Sequence, residues 1–414
     1  MDPSGIPDTP PSGLTRRRLL AAGAGALGGA ALAAAAGVGY TVYRVNQVGR
    51  YPSDRLLTLH AGRSNALFER FPALYGRLPW RPLATLPTPV EAWPAPPGMR
   101  RGTLYVKRDD LTAPLYGGNK IRKLEHLLAE AALREARSLV TIGGIGSNQA
   151  LATALHGRAL GFAVELSLFD HPVTAQVRAN LLGEVEAGAQ IKHAPGIAGC
   201  LLNARRAFAA RAQAGERPYF ISVGGSTRLG NAGFVTAGLE LAAQLRAGAL
   251  PVPDAIFIAA GSCGTAAGLI AGLQLAGLPS RVFAVRTAEP LFANRAVVTA
   301  YAADVLRYLR SLDPAVPEAK LADDAFELVG DYLGPAYAAP TPAARAAVDW
   351  AAARLPLETT YTGKALAACL DYCAGPGRDR NVLFWNTFNS RPFARAASPA
   401  RLPASLQALF AEHG

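Results

Sequence analysis

Residues Tyr116–His126 read "YGGNKIRKLEH": two glycines and an asparagine, then a lysine where a helix is expected to begin. Lysine is scarce in this chain. Lys107, Lys120, Lys123, Lys192, Lys320 and Lys364 stand against 36 arginines among 414 residues. A cation at a helix N-terminus is opposed by the helix dipole. The same field, with Arg122 and Lys123 close by, lowers the cost of a neutral amine at Lys120. A neutral amine attacks an aldehyde and forms a Schiff base. The plain alternative is a solvated lysine beside a turn.

From Gly102 onward the pattern around this stretch is regular. Apolar runs at Thr103–Val106, Ser138–Gly144, Ala163–Phe169, Ala189–Ala194, Tyr219–Gly225, Ala255–Gly261, Arg281–Arg286 and Asn381–Trp385 read as buried strands. Alanine-rich helical stretches separate most of them. This alternation predicts an α/β fold of parallel-rich sheets covered by helices on both faces. Connections are then right-handed crossovers, and ligands bind at the carboxyl ends of the strands. Residues 45–100 are rich in proline and poor in periodicity, and are expected to wrap across the surface of the core.

Three glycine-containing loops fall at strand-to-helix junctions. The first, "TIGGIGSNQALATALHGRALG", puts Ser147, Asn148 and Gln149 at the start of a helix. Their polar groups, with free backbone N–H groups, suit a carboxylate. Simple N-capping by Ser147 is the alternative, but capping needs only one such residue. In the second, "FIAAGSCGTAAGLIAGL", Gly261, Ser262, Cys263, Gly264 and Thr265 follow a very apolar strand. Such a loop curls several N–H groups around one anion. No lysine follows, so it is not a nucleotide P-loop, and a phosphate monoester is the better match. The third, "VGGSTRLGNAGF" at Val223–Phe234, either serves the site or merely turns the chain. An imine-forming lysine, a phosphate cradle without a nucleotide motif and a carboxylate-binding Ser-Asn-Gln together describe pyridoxal 5'-phosphate holding an amino acid.

The formal net charge is +12, yet no long basic run occurs beyond Arg16–Arg18, so nucleic-acid binding has no support. Cys200, Cys263, Cys369 and Cys373 form no zinc pattern with histidines and indicate no disulfide framework. Cys369 and Cys373, one helical turn apart, read as core filler, and no metal is expected. Residues 1–44 carry "TRRRLLAAGAGALGGAALAAAAGVGY", a basic start followed by small and apolar residues. This matches a twin-arginine-type export signal, or a membrane anchor of about spanning length. An exported (periplasmic) or membrane-anchored protein follows as an expectation, with membrane contact only through this segment. Gly23, Gly25 and Gly28 match G-x-G-x-x-G formally, but no strand precedes them, so the dinucleotide reading fails.

The stretches "KRDDLTAPLYGGNKIRKLEHLLAEA", "GGIGSNQA", "GSCGTAAGLIAGL", "GPAYAAPTPAA", "YTGKALAACLDY" and "VLFWNT" resemble the pyridoxal-phosphate enzymes of fold type II, the tryptophan-synthase-β fold. Within them they are most similar to the 1-aminocyclopropane-1-carboxylate deaminase and D-cysteine desulfhydrase group. The resemblance runs from about Lys107 to Phe393. It implies two α/β domains with the cofactor in the cleft between them: a large one from 45–122 and 234–414, and a small one at 123–233. It also implies a small amino-acid substrate and a homodimer.

By the same resemblance, Lys120 forms the imine and moves the α-proton. Asn148 contacts the cofactor's ring hydroxyl and, with Ser147 and Gln149, the substrate. The Gly261–Thr265 loop takes the phosphate, Tyr337 and Tyr361 stand beside the substrate, and Thr387 lies near the pyridine nitrogen. Thr362 replaces the deaminase-like glutamate after the second tyrosine, which favours D-cysteine desulfhydrase-like α,β-elimination to a 2-oxo acid and ammonia. Cyclopropane ring opening, with Tyr361 acting at a β-carbon, is the nearest alternative. A non-catalytic exported binding protein is another, because Asn386-Thr387-Phe388-Asn389 replaces the family's His-Thr-Gly-Gly and adds bulk. Glu358-Thr359-Thr360 likewise replaces Asp-Pro-Val.

Overall fold

The computed structural model describes residues 47–318 and 321–413, so the expected signal or anchor at 1–44 lies outside the described residues. Among the described residues no helix is long and apolar enough to cross a membrane.

Two sheets carry the chain. The strands are β1 (Val90–Trp93), β2 (Thr103–Arg108), β3 (Ser138–Gly144), β4 (Ala163–Phe169), β5 (Gln190–Ala194), β6 (Tyr219–Ile221), β7 (Ala255–Ala260), β8 (Arg281–Arg286), β9 (Phe326–Val329) and β10 (Asn381–Asn386). A six-stranded sheet has the order β1-β2-β10-β7-β8-β9, and a four-stranded sheet the order β5-β4-β3-β6. Every pairing is parallel except β1 with β2, where Val90 faces Lys107. Strands β3 and β7 are buried along their whole length, which explains their unbroken apolar runs.

The helices that cover the sheets and position the site are α1 (Asn119–Leu133), α2 (Asn148–Ala159), α3 (Ala175–Glu186), α4 (Ile197–Gln213), α5 (Arg228–Arg246), α6 (Gly264–Leu275), α7 (Arg295–Leu312), α8 (Pro342–Ala351) and α9 (Thr362–Ala374). Helices α5 and α6 touch backbone to backbone. A Cβ on Gly238 would lie 2.7 Å from the Gly272 carbonyl carbon, so the small residues of α6 are a packing requirement. Cys369 and Cys373 are buried in the apolar layer between α9 and the six-stranded sheet, beside Phe257, Phe384 and Val382.

One expectation is corrected. Residues 45–100 do more than wrap the surface: Leu67, Phe68, Phe71, Leu74, Leu78 and Trp80 are core residues, none more than 2% exposed. They sit on a five-residue helix, a 3-10 turn and the loop after them, too short to show a period. Strands β1 and β9 are not among the expected strands; β1 adds one antiparallel edge to a sheet that is otherwise parallel, within the parallel-rich expectation.

A charge-balanced cluster lies at the junction of β2, α1, α5 and β10. Arg122 grips Asp109 through Nη2 and Nε at 2.7 and 2.9 Å, and reaches Glu240 at 2.9 Å. Lys107 donates to Glu240 at 2.6 Å, and the Trp385 indole N–H to Asp109 at 2.9 Å. Burial pushes the Glu240 carboxyl up, but Arg122 and Lys107 outweigh it and hold it at about 2. Two basic residues are thus explained by structure alone: Lys107 and Arg122 lock the strand and helix that flank the Gly-Gly turn. Removing one partner strands the others in a dry interior. Arg122→Met is expected to cost roughly 3–5 kcal/mol of unfolding free energy, read by urea denaturation of the purified protein.

Candidate active site

The turn before α1 has no space for side chains. A Cβ on Gly117 would run into the Asp110 carbonyl oxygen, and one on Gly118, whose φ is +92°, would come within 3.0 Å of the Thr387 carbonyl oxygen. The turn is tied to the end of β10 by Gly117 N–H to Asn389 Oδ1 at 2.6 Å and Asn119 N–H to the Thr387 carbonyl at 3.1 Å. The Asn119 amide donates to Thr265 Oγ1 at 2.9 Å, linking it to the second glycine loop. Lys120 therefore lies at the carboxyl ends of β10 and β7, its Nζ 3.5 Å from where a Cβ on Gly224 would sit, beside Ser262. Burial lowers its pKa to about 8. The cause differs from the one the sequence suggests: the neighbouring Arg122 charge is absorbed by carboxylates, and desolvation does the work.

Lys123, one turn on, is fully buried and donates only to the Gly224 carbonyl and Ser226 Oγ, each at 3.1 Å. No ion pair neutralises it among the described residues, and burial, then the Lys120 charge, pushes its pKa well down. Ser226 Oγ lies 2.8 Å from Ser262 Oγ. A Cβ on Gly264 would collide with Ser226 Oγ and with Asn231 Oδ1, and both polar atoms of the Asn231 amide are buried without a partner. Cys263, at φ +62°, turns the chain into α6, whose first N–H groups have no intrahelical acceptor. A buried lysine without a counter-ion, which a phosphate would hold protonated, an orphaned amide and a helix N-terminus in one place fit a bound phosphate. The sequence singles out Gly261–Thr265, leaves open whether Val223–Phe234, which holds Ser226 and Asn231, serves the site, and reads Lys123 only as a neighbouring charge. The scarcity of lysine was the available signal for Lys123. For Asn231 the only signal is its place in that glycine-containing loop at a strand-to-helix junction.

On the other side of the cleft, Asn148 Oδ1 accepts from Asn180 Nδ2 at 3.1 Å and from the Tyr116 hydroxyl at 3.4 Å. Ser147 caps α2, accepting Ala150 N–H at 3.2 Å. Gln149 is buried, and its amide donates to Thr153 Oγ1 at 2.7 Å. The Gln149 amide nitrogen is engaged within its own helix, whereas Ser147 only accepts there and keeps its hydroxyl proton, so α2 offers a carboxylate that hydroxyl and the N–H groups of Asn148 and Gln149. Tyr337 and Tyr361 join hydroxyl to hydroxyl, and Gly261 leaves the space that the Tyr361 ring fills. Burial raises both phenols, so they are protonated at neutral pH. Glu358 anchors the second tyrosine by accepting N–H bonds from Thr360, Tyr361 and Thr362 at 2.7, 2.9 and 2.8 Å. Thr362 turns its hydroxyl to the same carboxylate at 3.1 Å. Thr387 contributes its carbonyl to the lysine turn, and Asn386 Oδ1 accepts Phe388 N–H at 3.2 Å. The segment Asn386–Asn389 thus braces that turn. Gly146, Asn148, His171, Thr174, Tyr337 and Thr360 line a cavity of about 180 Å3.

Residues 82–387 match the family described as pyridoxal-phosphate dependent enzymes. The chain belongs to this family. Pyridoxal phosphate is its cofactor, and the phosphate-fitting pocket beside Lys120 agrees with it. Over 332 residues the chain is 33% identical to nocardicin C-9' epimerase of Nocardia uniformis subsp. tsuyamanensis, covering 78% of this chain and 97% of that one. It is 39% identical to the bifunctional D-cysteine desulfhydrase/1-aminocyclopropane-1-carboxylate deaminase of Arabidopsis thaliana, over 49% of this chain and 53% of the relative. Of that relative, the match thus spans about half the length. The crystal structure of an ACC deaminase homologue superposes with a TM-score of 0.66 at 26% identity, covering 79% of this chain and 95% of that one.

Two outcomes are expected. Lys123→Met weakens pyridoxal phosphate at least about tenfold, the scale of a lost charge-assisted bond, and leaves phosphate-free pyridoxal unaffected in equilibrium dialysis. The rate at which apo-protein captures the cofactor rises with pH through about 8, because only neutral Lys120 attacks; stopped-flow absorbance across pH 6.5–9.5 follows it.

Proposed function

We propose that the enzyme carries out α,β-elimination on a small amino acid of the D-cysteine type, releasing a 2-oxo acid and ammonia. The observation that supports it is that an amine poised at about 8 and a phenol pair that burial keeps protonated border the same Gly261–Ser262 turn: Lys120 Nζ lies 3.5 Å from where a Cβ on Gly224 would meet Ser262, and the Tyr361 ring lies 3.2 Å from where one on Gly261 would sit. One group takes a proton and the other gives one.

Pyridoxal phosphate, when bound, supplies the aldehyde that takes the substrate amine and the ring that spreads the charge left at Cα. The chain's own residues do the rest. The N–H groups of Asn148 and Gln149 hold the substrate carboxylate, and Lys120, as a free amine, removes the α-proton. The Cβ–S bond breaks with its electron pair on sulfur, and the Tyr337–Tyr361 pair gives that sulfur a proton. The enamine released takes up water and yields the 2-oxo acid and ammonia.

Epimerisation at Cα is a second reading, favoured by the relative that aligns over 97% of its own length and is named an epimerase. It uses the same Lys120 step and returns a proton from the phenol side instead of expelling a group. Ring opening of 1-aminocyclopropane-1-carboxylate needs a proton acceptor or nucleophile at a β-carbon, and a Tyr361 held protonated is unsuited to that part. The comparisons give a non-catalytic protein no support.

A panel of D- and L-amino acids incubated with holoenzyme in deuterated water separates these readings. Elimination predicts pyruvate from cysteine of one chirality. Epimerisation predicts α-deuterium and inverted amino acid without keto acid, and ring opening predicts 2-oxobutyrate. Tyr361→Phe is expected to slow the elimination roughly 10²–10⁴-fold, the range of one acid–base group.

A further inference from the structure

His171 follows β4 and lies across the loop that joins β3 to α2. A Cβ on Gly144 would collide with the imidazole Cδ2, and one on Gly146 would lie 2.9 Å from Cε1. These glycines of the "GGIGSNQ" run make room for this ring. Its Nε2 accepts Gly146 N–H at 2.8 Å, and Nδ1 stands 3.0 Å from the Pro172 carbonyl oxygen. An accepting Nε2 places the proton on Nδ1, which donates to that carbonyl, so the imidazole is neutral and in one tautomer. The ring also packs edge-on against Tyr337, with centroids 5.5 Å apart and planes at 80°. Gly146, Asn148, His171 and Tyr337 share the wall of the 180 Å3 cavity.

We propose that His171 is a positioning residue for the substrate carboxylate. By taking the Gly146 N–H it fixes the loop so that the N–H groups of Asn148 and Gln149 are the ones left to the carboxylate. By packing on Tyr337 it holds the phenol pair at a set distance from that same anchor. The inference rests on the amino-acid substrate proposed above.

The test uses holoenzyme and two amines read through the cofactor's absorbance: alanine of either chirality, which has a carboxylate but no β-leaving group, and ethylamine, which has none. His171→Phe keeps a ring beside Tyr337 but accepts no hydrogen bond, whereas His171→Gln restores an acceptor near the Nε2 position. The expected result is an alanine Kd raised roughly 5- to 50-fold by the phenylalanine, the loss for a polar group left unpaired, with ethylamine unchanged and the glutamine variant recovering most of the alanine affinity. Alanine binding unaltered in the phenylalanine variant, or alanine and ethylamine weakened alike, would overturn the proposal. If alanine binds wild-type holoenzyme no better than ethylamine does, the amino-acid reading of the site fails as well, and the two failures are told apart.

Discussion

Everything in the site follows from the absence of two Cβ atoms. Gly117 lies against the Asp110 carbonyl and Gly118 against the end of β10, so the chain passes between two strand termini and starts a helix within three residues. That path sets Lys120 on the rim of the larger sheet, where parallel strands end and ligands are bound in folds of this class. Asn389 and Thr387 hold the turn from the far side, which gives the unusual Asn-Thr-Phe-Asn segment a supporting part.

Neighbouring positions on α1 show how burial separates structure from chemistry. Arg122 and Lys123 are both dry. Arg122 meets two carboxylates and completes a neutral cluster, so its charge is spent on holding β2, α5 and β10 together. Among the described residues Lys123 donates to a carbonyl and a hydroxyl and to no carboxylate. A dry cation without a counter-ion is unfavourable unless an anion arrives, and the orphaned Asn231 amide lies by the same loop. The pocket is thus strained electrostatically in a way that a phosphate relieves. Lys120, beside it, gains a low pKa from the same desolvation.

The parallel core was legible because strands buried on both faces are apolar at every position, as in β3 and β7. Strand β1 escaped notice because it is short, only partly buried and set among prolines, and β9 because its burial is confined mainly to Phe326. The site was legible where residue type alone is informative, in a rare lysine and in glycine loops at strand ends. It was hidden where function comes from contacts between distant segments. His171 carries no signal until the glycines beneath it are seen, and Glu358, which stands where the resembled family has Asp-Pro-Val, shows its part only when its three N–H bonds are counted. Gln149 shows the converse: its residue type suggests a ligand contact, while its amide is turned into its own helix.

The central claim is that one lysine among the six, Lys120, takes the cofactor aldehyde while Lys123 takes its phosphate. Borohydride reduction of the loaded protein, followed by peptide mapping, tests it most directly. The account predicts a phosphopyridoxyl group on Lys120 and on no other lysine. A modified Lys123 with Lys120 untouched, or no modified lysine at all, would contradict it.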